Sequence, residues 1–202
     1  MVTVYHAQHT RSLRVLWTLA ELGVEADVRA IPFPPRKLKP EYLEINPSGT
    51  VPTMIDGAVK LTESLAICEY LADKHGSRLL VVPGDAARPD FLQWLWYGES
   101  TLMVPMTMRA RIGRMGKTGE GIDAVLADAR EALSARLEPL ERHLEERDFV
   151  AADRLTLADI ALGYPLYLVK WTKIDEVLGP NVRAYADRLH ARPAFQRAAA
   201  VQ

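Results

Sequence analysis

The hydrophobic pattern of this chain changes period once, and that change restricts the fold more than any other feature. Strand and helix patterns alternate up to Gly76, and only helical spacing follows. Val2-Thr3-Val4-Tyr5 has the period-two alternation of a short strand. Ser12 to Leu22 puts Val15, Leu19 and Leu22 on one helical stripe, and Gly23 is a stop signal. Glu25 to Ile31 reads as a second strand, and the proline-rich stretch Pro32 to Pro40 as a loop. Glu41 to Ile45 fits one helical turn, ended by Asn46-Pro47-Ser48-Gly49. Thr53-Met54-Ile55 and Val59-Lys60-Leu61 flank Asp56-Gly57, a hairpin signal. Glu63 to Lys74 is again helical, with Leu65, Cys68 and Ala72 on one side. The order is β-α-β, loop, β-β-α.

Beyond Gly76, Ser77 to Ala87 carries Pro83-Gly84 and reads as a linker. Arg88 to about Arg111 is helical and rich in large side chains. Asp123 to Glu146 repeats leucine at helical spacing, at Leu126, Leu133, Leu137, Leu140 and Leu144, and Pro139 is expected to bend or break that helix. Thr156 opens another helix, Asp175 to Gly179 and Asn181 to Ala191 are further candidates, and Pro193 begins the last. The division this predicts is an α/β domain over 1–76, a linker over 77–87 and an all-helical domain over 88–202.

Charge and cysteine content narrow the function classes. A net charge of -1, with arginines interleaved among acidic residues, gives no reason to expect nucleic acid or an acidic membrane surface as a partner. Cys68 is the one cysteine, so no internal disulfide and no C-x-x-C dithiol centre exists, and a reducing, cytoplasmic location is expected. Met1 to Tyr5 runs into a strand pattern without a signal-peptide stretch, and apolar runs such as Leu79 to Pro83 are too short to span a bilayer. Neither membrane association nor a metal is expected, since His6 and His9 have no acidic or cysteine partners nearby in sequence.

Three groups of residues at the strand–helix joints can carry chemistry. Val51-Pro52 stands between a turn and a strand. With a cis bond, Val51 would offer its backbone N–H and C=O to an extended peptide; the plain alternative is a trans turn proline. Thr62-Glu63-Ser64 opens a helix. The free N–H groups and the Ser64 hydroxyl suit a carboxylate, and Glu63 suits an ammonium, which together match an amino-acid head; the alternative is a cap made by Thr62. His9, Thr10 and Ser12 cluster where the first strand meets the first helix. A thiolate there would feel the helix dipole and a hydroxyl donor, both of which lower a thiol pKa; the alternative is simple helix capping.

The three groups occur in order within one small unit, and the motifs resemble those of the glutathione transferase family along nearly the whole chain. His9-Thr10-Arg11-Ser12-Leu13-Arg14-Val15-Leu16-Trp17 is similar to the S-R-S-x-R-V-L-W pattern of its bacterial-like cytosolic members. Asn46-Pro47-Ser48-Gly49-Thr50-Val51-Pro52 is similar to its N-P-x-G-x-V-P segment, and Glu63-Ser64-Leu65-Ala66-Ile67 to its E-S-x-A-I motif. Leu155-Thr156-Leu157-Ala158-Asp159-Ile160 resembles its buried capping box. Physics supports that reading, since Thr156 can cap the helix while Asp159 reaches back.

The resemblance implies a thioredoxin-like α/β domain that holds glutathione as co-substrate, followed by an all-α domain that binds an apolar electrophile, in a detoxification role. It implies that Val51, before a cis Pro52, pairs with the cysteinyl part of glutathione, and that Glu63 and Ser64 hold its γ-glutamyl end. Lys37, and after it Lys39, would hold the glycine carboxylate. Thr10 takes the place of the first serine in the S-R-S pattern and is the first choice as thiol activator, with Ser12 second and Tyr5 third. Trp96, Tyr97, Met103, Met106 and Arg109 lie on the first helix of the second domain, which usually lines the electrophile site; aromatics and methionines there also serve as core. A homodimer is expected. The alternatives are glutathione-dependent reduction of a disulfide or peroxide, and a non-catalytic binding or regulatory protein of the same fold.

Overall fold

The computed structural model describes residues 1–201 of the chain. The elements run β1 (Val2–His6), α1 (Ser12–Leu22), β2 (Ala26–Ala30), α2 (Pro35–Leu38), a 3-10 helix (Pro40–Glu44), β3 (Thr53–Asp56), β4 (Val59–Leu61) and α3 (Ser64–Lys74). They continue as α4 (Arg88–Trp96), a π-helical turn (Tyr97–Thr101), α5 (Met103–Met115), α6 (Glu120–His143), α7 (Leu157–Trp171), a 3-10 helix (Asp175–Val177), α8 (Pro180–His190) and α9 (Pro193–Ala199). The chain forms two compact units, Met1–Leu80 with residues 191–201, and Val81–His190.

The first unit is a thioredoxin-like α/β domain. Its sheet has the order β2-β1-β3-β4; β1 pairs parallel with β2 and antiparallel with β3, and β3 pairs antiparallel with β4 across the Asp56-Gly57 hairpin. Val4 sits opposite Val28 on one side and Met54 on the other, so the central strand is fully buried there. The apolar stripe of α1 packs on α3 and α9, which leaves every residue from Ser12 to Leu19 buried. Gly23 ends the helix in the left-handed region, at φ 67, where a residue without Cβ is not strained.

Two sequence expectations are revised here. Pro32 to Pro40 is not all loop: Pro35 stands in the first turn of α2, where its fixed φ and missing N–H fit a helix start. The segment 191–201, read from sequence as part of the helical domain, folds with the first unit. Trp17 meets Phe195 edge-on at 5.0 Å, and Arg192 grips the Glu21 carboxylate with Nε at 2.7 Å and Nη2 at 2.9 Å. Trp17 Nε1 donates to the same carboxylate at 2.9 Å.

The second unit is all-helical and built around α7, which is buried along nearly its whole length, as expected of a helix that is hydrophobic all round. Thr156 and Asp159 form the expected capping box. Asp159 also accepts from Val150 N at 3.1 Å and from the Tyr185 hydroxyl at 2.8 Å, so the capping carboxylate ties three parts of the unit together. The helix expected from Arg88 to Arg111 is interrupted by the π-helical turn. A Cβ on Gly98 would lie 2.6 Å from the Ala161 backbone carbon, so the turn sits where α7 comes closest. Pro139 does not break α6, which runs 24 residues through it with Leu133, Leu137 and Leu140 buried.

Candidate active site

The joint between β1 and α1 contains a connected set of hydroxyls. Ser12 Oγ and Thr10 Oγ1 are 2.7 Å apart. Thr10 Oγ1 donates to the Ala7 carbonyl at 2.7 Å, and Ser12 N–H reaches Thr10 Oγ1 at 3.4 Å. Ser12 Oγ lies 2.8 Å from His6 Nδ1, accepts from Ala7 N–H at 3.3 Å and is 3.2 Å from the Ala7 carbonyl. Ser12 is wholly enclosed and Thr10 is 8% exposed, so Thr10 is the end of this set nearest solvent. Burial lowers the pKa of His6, so its ring is neutral at physiological pH. His9 precedes the pair at φ 55, a turn that brings the loop round to the start of the helix.

The second group is held by a hydrogen-bonded turn. Asn46 Nδ2 donates to the Thr50 carbonyl at 2.9 Å, and its Oδ1 accepts from Ser48 N–H at 3.1 Å. The buried Tyr42 hydroxyl donates to the Thr50 carbonyl at 2.8 Å and lies 2.6 Å from Thr53 Oγ1. Gly49 has φ 65, and a Cβ there would stand 3.0 Å from Leu43 Cδ2, so both backbone and space favour glycine. The chain leaves this turn through a cis Val51–Pro52 bond, as expected; Phe33–Pro34 is also cis. The Val51 side chain joins a core cluster with Tyr5, Ala7, Ile31 and Tyr42. Its backbone N–H and C=O take part in none of the turn and loop hydrogen bonds among the described residues.

At the start of α3, Glu63 is exposed and has φ 65, uncommon for a residue with a side chain and costly unless its surroundings enforce it. Ser64 is buried, and its Oγ accepts from Arg14 Nη1 at 3.3 Å. Arg14, a wholly buried residue of α1, therefore links the first helix to the third. Ala7 links the hydroxyl set to Val51 through the core cluster. Ala7 thus links positions 10 and 12 to position 51, and Arg14 separately ties α1 to position 64. His6, Arg14, Tyr42 and Asn46 hold these joints; the sequence marks Arg14 and Asn46 only as members of motifs, weighs His6 only as a metal ligand and gives Tyr42 no role. A buried arginine in a helical stripe was the one signal available, because such a charge requires acceptors.

The remaining candidates fall elsewhere. Lys37 lies on α2 with its side chain exposed, and Lys39 follows that helix. Neighbouring Arg36 is committed to the turn, donating to the Pro47 carbonyl at 2.7 Å. Tyr5 is buried against Tyr42, with ring centroids 5.3 Å apart, and its hydroxyl accepts from Arg29, so it faces the core. In the helical unit, Met103 and Met106 are core residues, 2% and 0% exposed, which is the role large apolar side chains usually take. Tyr97 donates to the Arg136 carbonyl at 2.7 Å and Arg109 to the Leu126 carbonyl at 3.3 Å. Trp96 is 53% exposed. Cys68 is buried, and burial pushes its thiol up to about 11. Among the described residues no cluster of three or more His, Cys, Asp or Glu is placed to hold a metal, and no helix is long and apolar enough to cross a membrane.

Comparison with known proteins gives this arrangement its context. Residues 10–74 match the glutathione S-transferase N-terminal domain, and residues 101–193 match the C-terminal domain. Glutathione S-transferase F9 of Arabidopsis thaliana is 30% identical over 99% of this chain and 97% of its own length. The chain belongs to the glutathione S-transferase family. Glutathione S-transferase D7 of Drosophila melanogaster is 33% identical over 74% of this chain, a match that spans 65% of that relative. A glutathione transferase family member from Pseudomonas fluorescens, solved with two glutathione molecules bound, is 27% identical with a TM-score of 0.84, covering 100% of this chain and 93% of that one. This glutathione transferase carries Thr10, Ser12, Lys37, Lys39, Val51, Pro52, Glu63 and Ser64 inside the N-terminal match. Met103, Met106 and Arg109 lie inside the C-terminal match, and Trp96 and Tyr97 lie ahead of it.

Proposed function

We propose that the chain binds glutathione on its first unit as the thiolate and adds it to an apolar electrophile, as in detoxification. The observation that carries this reading is the Thr10–Ser12 hydroxyl pair at the start of α1, enclosed except at Thr10. A hydroxyl donated to sulfur favours the anion, and the helix N-terminus adds to it. Cys68 is buried with a raised pKa, so the chain offers no sulfur nucleophile of its own and the reacting thiolate is that of glutathione. That thiolate forms a carbon–sulfur bond, and the electrophile's leaving group departs with the electron pair, or an opened epoxide oxygen takes up a proton. No covalent enzyme intermediate is needed.

In this reading the Val51 backbone pairs with the cysteinyl part, Glu63 and Ser64 take the γ-glutamyl ammonium and carboxylate, and Lys37, or else Lys39, takes the glycine carboxylate. Each charge-assisted contact contributes about 1.5–3 kcal/mol. The electrophile binds on the helical unit, where Trp96 offers an exposed aromatic face and Tyr97 and Arg109 are partly exposed. The protein is proposed to be a cytoplasmic homodimer; sedimentation as a 22.6 kDa species at micromolar concentration would refute the dimer. Retention on immobilised glutathione, with elution by the free tripeptide, tests the first half of the reading. A panel of aryl halides, epoxides, disulfides and hydroperoxides tests the second. Turnover confined to disulfides or hydroperoxides would replace conjugation with reduction, and retention without turnover would leave a binding protein.

A further inference from the structure

The cations of the helical unit are interleaved with acids except along α5. From Ser100 to Gly119 the chain carries Arg109, Arg111, Arg114 and Lys117 and no acidic residue. Three of these are exposed, whereas Arg109 is half-buried on the side of α5 that meets α6. Its guanidinium has five N–H donors. Nη1 donates to the Leu126 carbonyl at 3.3 Å, which is its one hydrogen bond among the described residues, and Nε is buried with no acceptor. It has no carboxylate of its own either. Glu176 is the acid whose charge acts on it, and that carboxylate is held by Arg130 at 2.9 Å. Burial, and then the like charge of Arg130, lower the Arg109 pKa, with Glu176 opposing them. An arginine keeps its proton even so. A partly desolvated cation therefore stands here with fewer acceptors than it can use.

The residues beside that charge are apolar. Ile112 follows Arg109 by three places on α5, and Ile122 precedes Leu126 by four on α6, so the helical repeat sets each beside its neighbour where the two helices meet. Both isoleucines and Leu126 are half-buried. A cation with unused donors at the edge of such a surface is complementary to a flat apolar body that ends in an anion. A carboxylate or sulfonate accepts two parallel N–H bonds from one guanidinium, which a neutral ring cannot do. We infer that the electrophile this chain conjugates carries an acid group, and that Arg109 holds that group and so selects the substrate. The inference rests on the conjugation reading above and on its placement of the electrophile on the helical unit. Arg109 makes and breaks no covalent bond. The glutathione sulfur bonds to the electrophilic carbon, and the leaving group departs with its electron pair.

The test compares 4-chloro-3-nitrobenzoate with 4-chloro-3-nitrobenzamide, which present the same carbon–chlorine bond and differ in charge. For each, kcat/KM is measured at saturating glutathione in the parent, Arg109→Gln and Arg111→Gln, with the uncatalysed rate subtracted. Arg109→Gln is expected to lower kcat/KM for the benzoate by about tenfold or more, as for a lost hydrogen bond to a charged group, and to leave the benzamide within about twofold. The loss should appear in KM, because the acid group is held alike before and during reaction. Arg111→Gln removes an exposed charge from the same helix and should leave the ratio of the two substrates unchanged. If it lowers that ratio as far as Arg109→Gln does, the preference belongs to the general positive field and the assignment to Arg109 fails. Equal losses for both substrates in Arg109→Gln would make Arg109 a structural tie to Leu126 and overturn the inference, and so would no loss for either. If Arg109→Gln does not fold, or the parent conjugates other electrophiles but neither of these, competition in the parent decides. There, 3-nitrobenzoate should inhibit turnover of a neutral electrophile about tenfold more strongly than 3-nitrobenzamide does, and equal inhibition overturns the inference while the conjugation reading stands. A parent that conjugates no electrophile of the wider panel loses that reading, and the inference with it.

Discussion

Ser64 serves two partners. Its hydroxyl accepts from the wholly buried Arg14, and in the proposed site it also meets the γ-glutamyl carboxylate. Ser64→Ala is therefore expected to weaken glutathione binding by about 1.5–3 kcal/mol, as for a lost hydrogen bond to a charged group. Because the substitution also takes an acceptor from a buried guanidinium, it should lower the stability of the ligand-free protein by roughly 1–3 kcal/mol. Calorimetric titration with glutathione reads the first effect, and the urea midpoint without ligand reads the second. Unchanged affinity with lowered stability would leave Ser64 a purely structural acceptor for Arg14. Positions 10, 51 and 64 were legible in the sequence because each lies beside a turn or helix start with a local signature. Arg14 and His6 were not, because what they do depends on partners 50 and 6 places away, and periodicity shows only that they face inward.

At the scale of elements, much of both units could be read from local signals: Ser12 to Leu22 and the Asp56-Gly57 hairpin in the α/β unit, and the Thr156–Asp159 box in the helical one, all stand where their patterns placed them. The misses share a cause, which is tertiary packing overriding a local rule. Pro139 sits inside an unbroken α6, and the π-helical turn occurs where Gly98 meets the α7 backbone. Gly98→Ala would drive a methyl group to within 2.6 Å of the Ala161 backbone carbon, and it should cost about 1–3 kcal/mol as overpacking. A urea midpoint equal to the parent's would show that the π-helical turn and α7 can part without penalty. Asp159 is the other element-scale anchor, with acceptor bonds from Val150 N, Thr156 N, Thr156 Oγ1 and the Tyr185 hydroxyl. Asp159→Ala leaves several buried donors unsatisfied and should cost roughly 3–5 kcal/mol, whereas Thr156→Val, which removes one capping hydroxyl, should cost about 1 kcal/mol. Comparable losses for the two would mean that the box, and not the wider set of bonds, carries the stabilisation.

At the scale of the whole molecule, each unit carries a group whose shifted pKa costs the folded chain stability as pH falls. In the helical unit, burial lowers His190 to about 4, and its Nε2 lies 3.0 Å from the Gly163 carbonyl, to which it donates when neutral. In the α/β unit, burial works to raise the Glu21 pKa, but the hydrogen bonds from Arg192 and Trp17 outweigh it and hold the carboxyl below its ordinary value. The signs agree. Unfolded, His190 takes a proton near its ordinary 6.5; folded, it resists until about 4, so in that window the unfolded chain binds more protons. The stability His190 contributes is complete above pH 6.5 and is lost as pH falls toward 4, amounting to up to about 3 kcal/mol. Glu21 contributes above the unfolded carboxylate pKa and loses its share only at lower pH, so the two events separate along the pH axis. His190→Gln keeps a donor where Nε2 stands and removes the titration. It should leave the pH 7 urea midpoint nearly unchanged and lessen the fall in stability from pH 6.5 to 4, to which the buried His6 also contributes. A variant that keeps the parent's slope across that window would show that the acid sensitivity arises from other groups, while a variant already destabilised at pH 7 would show that the Gly163 contact needs the imidazole ring itself.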